Sequence, residues 1–107
     1  MFGRQVSIKL KDGGAAPEFN RIIEDEILPL LRKQKGFRGE TVLIAPERAE
    51  IIANSFWDSK EDAESYSRNG YPEVLKVLTN LIDGTPTVKT FDVARLTVQQ
   101  ATAAGLS

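Results

Sequence analysis

The sequence predicts an α+β domain of the ferredoxin-like, split βαβ type, with elements in the order β-α-β-β-α-α-β and a four-stranded antiparallel sheet. Three observations carry that expectation. An alternating apolar run opens the chain and passes into an amphipathic helix; two β-rich runs then follow each other across a short turn; a further helical region precedes a last β-rich run. At 107 residues there is material for one core and not for two.

Val6, Ile8 and Leu10 alternate with Ser7, Lys9 and Lys11, the period of two of a strand with one buried face. Asp12, Gly13 and Gly14 stop that strand, and Pro17 suits the first turn of a helix, where its missing N–H donor would be unpaired anyway. Phe19, Ile22, Ile23, Ile27, Leu30 and Leu31 then recur at helical spacing. Acidic residues (Glu18, Glu24, Asp25) come early and basic ones (Arg32, Lys33, Lys35) late, in the sense the helix macrodipole favours. The helix is expected from about Pro17 to Gln34, bent at Pro29 and ended by Gly36 in a left-handed conformation.

Arg38 to Ala45 and Glu50 to Trp57 read as two strands whose short connection, Pro46 to Ala49, favours an antiparallel pair. Ser59 or Asp58 can cap the next helix, which Gly70 breaks. Pro72 opens a third helix whose apolar face carries Val74, Leu75, Leu78, Leu81 and Ile82, closed by Gly84 and Pro86. Val88 to Leu96 is the expected last strand. The domain is therefore expected over residues 1–97, with 98–107 a small, polar C-terminal extension or tail.

Composition narrows the function classes. Apolar residues make up 41% and charged residues 27%, with 14 basic side chains against 15 acidic ones. That balance belongs to a globular protein and gives no charge excess for nucleic acid or an anionic membrane. No apolar stretch approaches the roughly 20 residues that cross a bilayer, and the opening MFGRQ has no signal-type segment, so a cytoplasmic protein is expected. The chain has no cysteine and no histidine. Disulfides, Cys/His zinc sites, thiol nucleophiles and imidazole triads are thereby excluded. No aspartate-rich calcium loop occurs either, so no metal site is expected.

The middle strands carry apolar residues in both phases: Val42, Leu43, Ile44 and Ala45, and again Ile51, Ile52, Ala53, Phe56 and Trp57. Helices on one side would leave the other apolar face in water, which predicts a homodimer joined through its sheet faces, a dimeric α+β barrel. The alternative, a monomer whose second face is only moderately apolar, draws on Lys9, Lys11, Lys89 and Arg95.

Two stretches carry a family resemblance. Leu30 to Gly39 (LLRKQKGFRG) and Ile51 to Tyr66 (IIANSFWDSKEDAESY) resemble the Gly-Phe-x-Gly turn and the strand-three tryptophan before an acidic helix of antibiotic-biosynthesis-monooxygenase-like domains, and the similarity extends over most of Val6 to Val93. The resemblance implies a homodimer in which each protomer holds a small-ligand pocket between helices and sheet. It implies that Trp57 lines that pocket; the alternative is an ordinary core aromatic. Asn54 and Tyr66 join Trp57 as candidate catalytic residues, and Phe37, Arg68, Tyr71 and Lys76 as candidate ligand contacts. Strict alternation puts Asn54 on the opposite face from Trp57 unless a bulge intervenes. Surface or core packing is the competing account of Phe37, Tyr71, Arg68 and Lys76.

The resemblance implies a cofactor-independent monooxygenase acting on an aromatic or polyketide-like small molecule. In that chemistry a dry pocket stabilises a substrate carbanion or enolate and the substrate itself reduces oxygen, so neither metal nor flavin is required. A non-catalytic, small-ligand-binding or stress-response barrel is the alternative. Haem degradation comes last, because the stretch corresponding to the family's axial histidine reads Val74, Leu75, Lys76.

Overall fold

Alternation gives each strand two phases of side chains, and the helices cover one of them. In the computed structural model, which describes residues 1–99, the strands are β1 (Phe2–Lys9), β2 (Phe37–Ala45), β3 (Glu50–Trp57) and β4 (Thr87–Asp92), in the order β2-β3-β1-β4. Every neighbouring pair is antiparallel. The parallel strands β1 and β2 are thus split by β3, as the sequence predicts.

The helices are α1 (Ala16–Ile22), α2 (Leu28–Arg32), α3 (Lys60–Asn69) and α4 (Tyr71–Leu78). They cover one face of the sheet. Phe19, Ile22, Ile23, Ile27 and Leu31 from the first helical rod, Ala63 and Tyr66 from α3, and Val74 and Leu78 from α4 meet Val6, Ile8, Leu10, Ile51 and Trp57 in a single core. Among the described residues no helix is long and apolar enough to cross a membrane.

The bend expected at Pro29 takes a specific form. Between α1 and α2 the chain makes a π-helical segment, Ile23–Ile27, and the Leu28 N–H donates to the Ile23 carbonyl one residue further back than in an α-helix. A proline cannot donate to the carbonyl four residues behind it and clashes with that group, so the widened turn relieves Asp25 just where Pro29 begins the next α-helical stretch. The rod ends at Arg32, two residues before the expected Gln34, and Gly36 (φ 80°) turns the chain into β2. A side chain there would strike the Asp62 carboxylate, so this position needs glycine on two counts.

Two boundaries differ from expectation, both at places where contacts with β1 replace the local pattern. The third helix stops at Leu78; Leu81 and Ile82 leave it to bond the end of β1 through Lys11 N–H to Leu81 O (2.9 Å) and a bridge from Leu10 to Ile82. β4 stops at Asp92, opposite Phe2, instead of reaching Leu96; beyond that pair a single bond, from the Val93 N–H to the Met1 carbonyl (2.9 Å), continues the contact. Of the expected tail, residues 100–107 lie outside the described residues.

Candidate active site

The apolar phase of three adjacent strands contains a polar residue at the same level. Arg4 precedes Val6 and Ile8 in the buried phase of β1; Ser55 lies between Ala53 and Trp57 in that of β3; Glu40 precedes Val42 in that of β2. The register sets them in a row, with Arg4 opposite Ser55 and Ser55 opposite Glu40, all facing the helices. The bulge at Arg38 between Phe37 and Gly39 is what brings Glu40 into this phase while Phe37 still faces inward beside Trp57. Outside the cleft, Arg38 forms an ion pair with Asp58.

Above the row opens a cleft of about 480 Å³, mouth included. Its floor is Arg4, Val6, Ala53, Ser55 and Glu40, and its walls are mainly apolar side chains of the helices together with Tyr66 and Tyr71. A small, mostly apolar cavity with a few convergent polar groups is the usual form of a ligand site. Arg4 is only 4% exposed, and its guanidinium lies 4.0 Å from the centre of the Tyr71 ring and 5.3 Å from that of Tyr66. Among the described residues no carboxylate is ion-paired to it. Its charge is instead supported by two aromatic faces, an attraction that grows as water is excluded.

Burial raises the pKa of all three acids of the cleft. The Glu40 carboxyl is pushed up to about 7, and the Tyr66 and Tyr71 phenols rise as well, Arg4 pulling against the burial in both. The phenols therefore stay protonated as hydrogen-bond donors, while Glu40 exchanges a proton near neutrality. The groups facing Glu40 are Arg4 from β1, Ser55 from β3, Tyr66 from α3 and Tyr71 from α4. Because the native carboxyl holds its proton where the unfolded chain, near 4.5, has released it, stability should fall as pH rises from about 4.5 to about 7. Glu40→Gln should abolish that slope and leave the variant more stable above pH 7 by about 1–2 kcal/mol, after discounting for solvent at the mouth. Denaturation at a series of pH values checks this, and parallel curves for the two proteins would refute it.

The seven residues singled out in the sequence divide into three groups. Tyr66 and Tyr71 line the cleft. Trp57 and Phe37 stand one layer behind it. Trp57 is fully buried, stacked on Tyr66 (5.0 Å between ring centres, 26°), met edge-on by Phe37 (5.6 Å, 69°), and donates from Nε1 to Ser55 Oγ at 2.9 Å. Its place is support for Tyr66 and Ser55, because α3 lays the Tyr66 ring between it and the cavity. Asn54, Arg68 and Lys76 are elsewhere. Asn54 lies on the far face of the sheet, accepting from Gln5 Nε2 (3.2 Å) and donating to Thr41 Oγ1 (3.0 Å), with no bulge in β3 to bring it round. Arg68 is exposed, and Lys76 is exposed beside Glu73 (3.4 Å). The cleft also holds Arg4, Ser55 and Glu40, for which the sequence carries a readable signal: each is a polar residue in the apolar phase of its strand.

Fold and cleft together define a ferredoxin-like α+β domain with a mainly apolar cleft between helices and sheet. The fold is that of the antibiotic biosynthesis monooxygenase-type proteins. No protein-family model and no curated protein matches the sequence. Among solved structures the chain is similar to a monooxygenase from the ActVA-Orf6 gene of Streptomyces coelicolor in complex with Nanaomycin D (TM-score 0.76, 13% identity, 92% of each chain). It is similar to SnoaB, a cofactor-independent oxygenase from Streptomyces nogalater (0.67, 14%, 89% of this chain and 94% of the other). It also resembles the haem-degrader MhuD from Mycobacterium tuberculosis, solved with two haems in its active site (0.71, 17%, 92% and 100%). At these identities the likeness is one of fold.

Proposed function

We propose that this chain is a cofactor-independent monooxygenase that oxidises an aromatic or polyketide-like small molecule in the cleft between helices and sheet. The observation that carries this reading is a mainly apolar cleft holding one buried cation, Arg4, free of any ion pair among the described residues and flanked by two protonated phenols. Such a site stabilises negative charge on a flat substrate. The enolate carbon of the substrate bonds to dioxygen, reprotonation gives a hydroperoxide, and loss of water turns a methylene into a carbonyl, with all four electrons that reduce dioxygen coming from the substrate. SnoaB and the ActVA-Orf6 protein support the reading by analogy of fold. Haem degradation has less support, since the chain has no histidine to ligate iron. Tyr66 and Tyr71 are the proposed substrate contacts, and Trp57 is a positioning residue behind Tyr66.

Oxygen uptake with anthrone-like and quinol substrates, using protein freed of metal and flavin, tests the proposal. Uptake is expected. A broad panel without uptake would leave a non-catalytic ligand-binding protein.

The proposed working form is a homodimer in the cytoplasm, with residues 1–97 as its single domain. The sheet face away from the helices presents Leu43 (57% exposed), Phe91 (50% exposed), Ile52 and Phe56 around the Gln5–Asn54–Thr41 hydrogen-bonded row. A second copy is the simplest cover for an apolar sheet face. Leu43→Lys combined with Phe91→Lys is expected to halve the mass found by light scattering while the circular dichroism stays native. A wild-type protein that scatters as a monomer at micromolar concentration would overturn the assembly.

A further inference from the structure

We infer that Glu40 is the proton acceptor of this cleft and Arg4 the cation that keeps the resulting anion, so that the site selects flat, neutral molecules bearing an acidic hydroxyl or enolisable carbonyl and turns away permanent carboxylates. This assignment deepens the oxygenase reading and rests on it only for the steps after the proton is lost.

Glu40 and Arg4 stand two strands apart on either side of Ser55, a Cα separation of roughly 10 Å at the usual strand spacing. A ligand oxygen lying over Ser55 would have one charged group on each side. The Ser55 hydroxyl already accepts a hydrogen bond from Trp57, which leaves its own proton to donate toward the gap. All three side chains line the one cleft, and neither Glu40 nor Arg4 is in an ion pair among the described residues.

Charge balance supplies the selectivity. With Glu40 ionised, the site carries one positive and one negative group and is neutral as a whole. When a neutral acid enters, its O–H bond breaks, the electron pair stays on the ligand oxygen beside Arg4, and the proton goes to a Glu40 carboxylate oxygen. The cleft is neutral before and after, so no net charge enters an apolar cavity. A carboxylate ligand arrives already charged; it meets the Glu40 carboxylate and binds only if Glu40 first takes a proton from solution. In a dry site an unbalanced charge costs several kcal/mol. The raised proton affinity of Glu40 supports the same assignment, because the acceptor must compete with a weakly acidic substrate near neutral pH.

The test uses para-nitrophenol, whose anion is coloured and whose neutral form is not, just below the pH at which the free probe ionises. Wild-type protein should bind it and develop the colour of the anion. Arg4→Met should lose both colour and about tenfold or more in affinity, with circular dichroism confirming the fold; Glu40→Gln leaves the Arg4 charge unbalanced and should still bind the coloured anion, but with an affinity that stays level above neutrality, where that of the wild type falls because Glu40 must first take up a proton. Should Arg4→Met not fold, Arg4→Lys keeps the charge and should keep the colour. The matched anion, para-nitrobenzoate, should bind about tenfold more weakly above neutrality than below it. A wild-type protein that binds the probe colourless, or does not bind it, overturns the inference; so does an affinity for the anion in Glu40→Gln that falls with pH as the wild type's does. Colour without oxygen uptake on any substrate would sustain this inference and remove the oxygenase reading. Uptake that survives Glu40→Gln would remove this inference and keep the oxygenase.

Discussion

Trp57→Ala is expected to lower the stability of the protein by about 3–5 kcal/mol, the range for removing a large aromatic from a packed core. The ring is fully buried, bridges the edge of Phe37 and the face of Tyr66, and ties down Ser55 through its indole N–H. Alanine leaves a cavity that β3 and α3 cannot close, since both are held by their own backbone bonds, and it releases the Tyr66 ring that forms a wall of the cleft. A domain of this size has about 5–15 kcal/mol in total, so the loss is a large share. Trp57→Phe keeps the stack, gives up the hydrogen bond and some volume, and is expected to cost about 1–2 kcal/mol. Urea denaturation measures both. A loss below about 1 kcal/mol for the alanine variant would mean that the ring is not the centre of this core.

Arg4→Met is expected to lower the oxygen-uptake rate by about 100-fold to 1,000-fold, the scale for losing a preorganised group that stabilises developing negative charge. Methionine matches much of the length of the arginine stem and packs against Tyr66 and Tyr71 without the charge, so the change acts on the reaction more than on the fold. Removing a buried cation that has no carboxylate partner among the described residues should cost little stability and can raise it. The two readouts therefore separate: rate falls while the denaturation midpoint holds. A variant that kept half the wild-type rate would show that Arg4 is not the group facing the substrate's negative charge.

Particular residues show why some of this was legible in the chain and some was not. Strand β3 falls on Glu50–Trp57 as read, because its apolar content and the turn before it are local signals. Ser59 caps α3 through its hydroxyl, accepting from the Asp62 N–H at 3.2 Å, again a matter of three residues. The end of β4 is not written locally, because it depends on pairing with β1, and Phe2 is remote in sequence from Asp92. Asn54 was grouped with Trp57 through resemblance, against the alternation that pointed the other way; the sheet follows the alternation.

The chain by itself determined the element order, the split βαβ topology and the two-faced middle hairpin, since periodicity, caps and turns act over a few residues and are written in consecutive letters. Tertiary structure alone decided the composition of the site. Arg4, Ser55 and Glu40 come from three strands distant in sequence and become one polar row only when the register aligns them. Their chemistry, a cation without a carboxylate partner and a carboxyl that titrates near neutrality, is a product of burial, which exists only once the helices have closed over the sheet.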